Sequence, residues 1–132
     1  MADTPVIVVT AAVVERGDCF LVTRRLAGSH LEGMWEFPGG KCEPGESHRD
    51  CLLREIDEEL GVEARVGALV LSTRHQYPER IVELHFYACT IDGEPLPQLD
   101  QQMQWVPRDM LGSLEFPPAD AELIRMLSEG ER

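Results

Sequence analysis

The stretch from Gly39 to Val62 constrains this chain more than any other. Ser47 stands where a helix N-cap belongs, Asp50 follows three residues on, and Gly61 closes the same segment. Between these ends Leu52, Ile56 and Leu60 recur at four-residue spacing, so they form one apolar stripe that must face a core. Glu55, Glu58 and Glu59 lie beside that stripe, on one arc of the helix, where like charges cost a few tenths of a kcal/mol per pair. A hard divalent cation would offset that repulsion, because Mg2+ takes oxygen ligands and completes its shell with waters and phosphates. Gly39, Gly40 and Lys41 read as a flexible loop that enters the helix and suits approach to a phosphate chain. Three glutamates alone would instead read as a solvated acidic face.

The whole stretch separates these readings. From Gly40 it runs through five residues to Glu46, seven more to Arg54-Glu55-Ile56, then Glu58-Glu59 and Gly61-Val62. This resembles the Nudix box with every defining position filled. The resemblance implies an α/β fold, an α/β/α sandwich with a mixed sheet, and hydrolysis of a nucleoside diphosphate linked to a further group.

At 132 residues the chain is expected to form a single domain, residues 1–132. A formal charge of −12 argues against a nucleic-acid polymer as partner, since phosphate contacts call for a basic patch. A small polyphosphate would be repelled too, so Mg2+ (or Mn2+) and local cations such as Arg24, Arg25 and Lys41 must supply the attraction. Cys19, Cys42, Cys51 and Cys89 show no paired metal spacing and no signal peptide precedes them, which suggests reduced thiols in a cytosolic, cytoplasmic protein. No apolar run reaches the roughly 20 residues of a membrane span. The expected assembly is a monomer or a homodimer.

Taken in order, Val6 to Val14 reads as a buried strand, Gly17-Asp18 as a hairpin turn, and Cys19 to Thr23 as a second strand. Ala27 to Met34 is a loop carrying His30, and Pro38 is expected to end a short strand and release the glycines. Glu63 to His75 gives a long strand, Tyr77 to Arg80 a turn, and Ile81 to Thr90 a returning strand. There Val82, Leu84, Phe86 and Ala88 alternate with Glu83, His85 and Tyr87, so one face is expected in the core. Met103 to Val106 is a last strand, Pro107 to Leu111 one helical turn, and a final helix starts near Pro117-Pro118 and packs through Leu123, Ile124 and Leu127. Trp35 and Trp105 read as packing, and His48, His75 and His85 lack any metal-like grouping.

Arg24-Arg25, His30, Trp35 to Lys41 and Phe116 to Ala119 extend the resemblance to the MutT branch, whose members hydrolyse oxidised or otherwise altered nucleoside triphosphates to a monophosphate and pyrophosphate. That resemblance implies that the Gly39 carbonyl, Glu55, Glu58 and Glu59 hold metal. It implies that Arg54 orients a catalytic glutamate, with Glu55 as the base and Glu58 beside it. It places Arg25, His30, Glu36, Phe37, Pro38, Gly39 and Lys41 around the nucleotide, with Tyr77 and Arg80 near the base. A role in nucleotide-pool sanitation and hence DNA repair would follow. Glu46 has two readings, a ligand or a carboxylate favoured by the helix dipole.

Two positions depart from that pattern. Asp120 stands where purine-reading members have asparagine. An ionised carboxylate only accepts and suits the exocyclic amine of cytosine or adenine, a buried protonated one can donate to oxidised guanine, and an aspartate there can also simply cap the last helix. Leu99 stands where relatives often carry a glutamate, and Asp100 is one residue late. Other open readings are a cytosine-nucleotide pyrophosphohydrolase, a Nudix enzyme for ADP-ribose, dinucleoside polyphosphates or capped RNA, and a silent nucleotide-binding module.

Overall fold

The computed structural model describes residues 4–26, 28 and 33–130; His30 therefore lies outside the described residues. The strands are β1 (Val6–Arg16), β2 (Cys19–Arg24), β3 (Trp35–Glu36), β4 (Gly39–Lys41), β5 (Glu63–Tyr77), β6 (Arg80–Asp92) and β7 (Met103–Pro107), with helices α1 (His48–Leu60) and α2 (Ala121–Ser128). They form one mixed sheet in the order β3-β2-β1-β6-β5, with β4 also on β1 and β7 on β2. β1 runs parallel to β6 from Val6↔Ile81 to Val14↔Cys89, and the other pairings are antiparallel.

β1 is an almost unbroken apolar run because both of its faces are covered. Ala11 and Val13 join Phe20, Val22, Phe86, Leu111, Leu123 and Leu127 in one core, under α2. Ala12 and Val14 join Leu21 with the predicted stripe Leu52, Ile56 and Leu60 in a second core, under α1. This is the expected α/β/α layering. α1 begins at Ser47, whose hydroxyl accepts from the Asp50 N–H at 3.1 Å, and it ends at Gly61 with φ of 66°.

Two expectations are corrected. Gly39 to Lys41 is a strand rather than a released loop: Pro38 has no N–H to give, but its carbonyl accepts from the Ala12 N–H at 2.8 Å, and Val9↔Lys41 to Ala11↔Gly39 pair beyond it. Glycine permits this because a Cβ on Gly39 would overlap the Thr10 carbonyl. β6 is covered on both faces in its second half, where Tyr87, Cys89 and Ile91 meet the core under α1. The expected turn from Tyr77 to Arg80 is present: Tyr77 and Arg80 are the closing pair of β5 and β6, with Pro78-Glu79 between them.

Trp35 and Trp105 pack on the two cores as expected. His48 holds α1 to β6 through Tyr87 Oη at 2.7 Å and a stacked His85. All four cysteines are thiols, and among the described residues no helix is long and apolar enough to cross a membrane.

Candidate active site

Burying Leu52, Ile56 and Leu60 turns the neighbouring arc of α1 toward β4. There Glu55, Glu58 and Glu59 open into a cavity of about 470 Å3 that is also lined by Gly39, Gly40, Lys41, Glu36, Arg25, Tyr77, Arg80 and Asp120. Glu59 is only 9% exposed. Burial first, then the nearby Glu36 and Glu55 carboxylates, push its pKa up to about 9, while the backbone of Gly39 hydrogen-bonds it. Gly40 is required beside it, because a Cβ there would run into the Glu55 carboxylate.

Arg54 is not part of the cavity lining, and it gathers the neighbouring carboxylates. Its Nε and Nη2 donate to both oxygens of Glu46 at 2.8 and 2.9 Å, Nη1 donates to Glu55 at 2.9 Å and Glu58 at 3.4 Å, and Nη2 donates to the Lys41 carbonyl at 3.1 Å. The hydrogen bonds to Arg54 hold Glu46 down to about 2. Its carboxylate is therefore used as a structural partner, and Glu55 is left with one oxygen free of Arg54.

Among the described residues no three His, Cys, Asp or Glu side chains converge as a ready-made metal cage. The donor chemistry nevertheless fits a hard divalent ion. Glu59 and Glu55 meet carboxyl to carboxyl at the cavity wall with Glu36 nearby, a crowding of carboxyls that favours a proton or a cation among them and offers oxygen donors with room for water and phosphate.

The same cavity is lined by Asp120, which is 4% exposed. It holds the N-cap position of α2, but with φ −93° and ψ −5° its side chain makes no capping hydrogen bond. The capping reading is thus overturned: a 3-10 turn over Pro118–Asp120 leads into α2 in helical dihedrals, unlike the extended conformation a cap uses. Burial chiefly, then Glu36, push the Asp120 pKa up to about 7, against the pull of Arg25. Tyr77 is hydrogen-bonded to the backbone of Ala119 beside it, and Arg25 is ion-paired with Glu36.

The remaining predicted residues are less evenly placed. Phe37 lines the cavity, yet one ring face stacks on Phe116 at 5.5 Å, so it is also core. Pro38 is buried behind the lining, and Lys41 is exposed at the cavity. Asp100 is exposed and outside the lining, whereas Leu99 and Gln101 on either side are part of it. The loop has therefore not shifted to present Asp100. Sequence reasoning missed Gln101, whose only signal was a polar residue entering an apolar strand, and it missed Thr10 and Thr23 on the cavity floor.

The model of the NUDIX domain family matches residues 9–126. The chain is 38% identical over 117 residues to the CTP pyrophosphohydrolase of Escherichia coli (strain K12), covering 88% of this chain and 87% of that one. It is 37% identical over 131 residues to the 8-oxo-dGTP diphosphatase of Haemophilus influenzae, covering 96% of each. The solution structure of the E. coli ORF135 protein superposes with a TM-score of 0.82 at 37% identity, over 92% of this chain and 88% of that one. The MutT protein from Methanosarcina mazei Go1 gives 0.86 over 98% of each chain, at 21% identity, a likeness of fold alone. Motif, layering and relatives agree: the chain belongs to the NUDIX domain family and is a hydrolase of nucleotide phosphoanhydride bonds.

Proposed function

We propose that this enzyme is a Mg2+-dependent nucleoside triphosphate pyrophosphohydrolase that releases a nucleoside monophosphate and pyrophosphate, with oxidised or modified triphosphates such as 8-oxo-dGTP as substrates. The supporting observation is that one cavity carries the glutamates of α1 and, from the turn before α2, the nearly buried carboxyl of Asp120. A ligand with both a polyphosphate and a hydrogen-bonding base matches that pairing. Sanitation of the nucleotide pool is the role that follows.

In this reading Glu55, Glu58, Glu59 and the Gly39 carbonyl hold Mg2+, for which Mn2+ can substitute. The ion, when bound, supplies positive charge to the phosphate oxygens and favours ionisation of the attacking water. Glu55 takes the proton from that water through the oxygen Arg54 leaves free, and Arg54 fixes its orientation. Arg25, Arg80 and Lys41 contribute local positive charge to an otherwise acidic molecule, with His30 as a further contact to the nucleotide. Glu36 holds Arg25 in place. Phe37, Pro38 and Tyr77 shape the wall against the base, and Asp120 reads it. Protonated, Asp120 donates to the carbonyl of oxidised guanine and accepts from the protonated nitrogen beside it. The working unit is a monomer or homodimer.

A second reading has a specific basis. With its pKa at about 7, Asp120 is partly ionised at neutral pH, and an ionised carboxylate accepts from the amine of cytosine. The E. coli relative named for CTP points the same way. The deciding experiment is kcat/KM for 8-oxo-dGTP against CTP, dCTP and 5-modified dCTP, for wild type and Asp120→Asn, with Mg2+. A wild-type preference for 8-oxo-dGTP supports the protonated reading. A preference for cytosine nucleotides that moves toward 8-oxo-dGTP in the variant supports the second. No hydrolysis of any triphosphate would exclude both and leave ADP-ribose, dinucleoside polyphosphates, capped RNA or a silent binding module.

A further inference from the structure

Glu59 is the last residue but one of α1, a poor place for a residue that must hold its carboxyl still. Carbonyls of a last helical turn have no helical partner, and helix ends fray. Here the turn is pinned from outside. The Glu59 carbonyl accepts from the Gln98 N–H at 2.8 Å and from Gln101 Nε2 at 2.9 Å, and the Leu60 carbonyl accepts from the Leu96 N–H at 3.0 Å. Gln101 is 7% exposed, and its Oε1 accepts from the Leu99 N–H at 2.8 Å, so both ends of its amide are used. A Cβ on Gly61 would come within 2.9 Å of Gln98 Nε2, which shows how closely the loop lies on the helix end. From Gln101 the chain enters β7, which pairs with β2 from Thr23↔Met103 onward. The amide therefore ties the loose end of α1 to the sheet.

We propose that Gln101 is a positioning residue for the metal site: its side-chain amide clamps the last turn of α1 and thereby sets the Glu59 carboxyl for a divalent cation. The proposal rests on the reading above that Glu59 holds that cation. Losing a group that orients a metal ligand typically weakens metal affinity by about 10- to 100-fold.

The test is Mn2+ binding, followed by the EPR signal of the free ion, to wild type, Gln101→Met, Gln101→Asn and Glu59→Gln, with thermal midpoints measured alongside. Gln101→Asn keeps a neutral amide but draws it back by one methylene from the Glu59 carbonyl, so it carries the test alone if the methionine variant does not fold. The expected result is a Kd for Mn2+ raised about ten-fold or more in both Gln101 variants, with the nucleotide KM at saturating metal unchanged. A lowered thermal midpoint with unchanged Kd would make Gln101 merely structural and overturn the proposal. A raised nucleotide KM with unchanged Kd would make it a substrate contact and overturn it as well. If Glu59→Gln binds Mn2+ like wild type, the reading of Glu59 falls and the inference with it; if only the Gln101 variants do so, the inference alone falls.

Discussion

An aspartate in an unfolded chain gives up its proton near pH 4, whereas burial holds Asp120 protonated up to about 7. Between those values unfolding releases a proton, so this residue makes the fold less stable as pH rises through the window and has no pH effect outside it. Asparagine removes the effect and sacrifices no helix cap, since the Asp120 side chain makes none. Relative to wild type, Asp120→Asn should therefore gain stability between pH 4 and pH 8, by on the order of a few kcal/mol. Urea unfolding of both proteins at the two pH values measures this; the contribution of Glu59 cancels in the difference. Equal pH slopes would mean that Asp120 ionises as if exposed. Glu55→Gln is the matching test among the glutamates of α1: turnover should fall by orders of magnitude with the circular dichroism spectrum unchanged, and a near wild-type rate would remove Glu55 from the base role. That Asp120 is unusual was legible from its residue type. Its burial was not, because Pro117-Pro118-Ala119-Asp120 reads equally well as an ordinary capped helix start.

At the scale of elements, what periodicity and end signals mark was legible, and what depends on a distant partner was not. α1 could be read from Ser47 to Gly61 because cap, stripe and terminator all agree, and the carboxylate arc came with it. β4 could not, because two glycines and a lysine carry no strand signal of their own; they are a strand only because β1 offers Val9 to Ala11 as an edge. The second buried face of β6 was hidden for the same reason, since α1 covers Tyr87, Cys89 and Ile91 from elsewhere in the chain. Gln101 likewise acquires its place only when β7 brings it under α1. This dependence makes β4 the element most sensitive to a small change. A methyl group at Gly39 would overlap the Thr10 carbonyl, which is backbone and cannot swing aside. Gly39→Ala should cost about 3 kcal/mol or more, at the upper end of overpacking effects, read as a lowered urea midpoint. Ser47→Ala, which removes only the cap on Asp50, should cost about 1 kcal/mol in the same assay. A Gly39→Ala loss no larger than that of Ser47→Ala would show that β4 is free to move off β1.

For the whole molecule, the charge of −12 opposes the approach of any polyphosphate. This follows from composition and needs no fold. The fold adds that the cavity's cations are few and partly engaged: Arg25 is paired with Glu36, and Arg54 is paired with Glu46, Glu55 and Glu58 and does not line the cavity. Attraction at contact and repulsion at distance should then respond differently to salt. The screening length falls from about 30 Å at 0.01 M to about 8 Å at 0.15 M, so added salt suppresses the long-range repulsion while the contacts inside the half-enclosed cavity are screened much less. At saturating Mg2+, kcat/KM for a nucleoside triphosphate should rise as KCl is raised across that range, with kcat nearly constant. Variants that neutralise exposed carboxylates outside the cavity lining, such as Asp109→Asn and Glu122→Gln, should flatten that rise without changing kcat. If kcat/KM instead falls with salt in the wild type, the approach is governed by Lys41 and Arg80 at the cavity rather than by the net charge, and the acidic surface plays no part in the encounter.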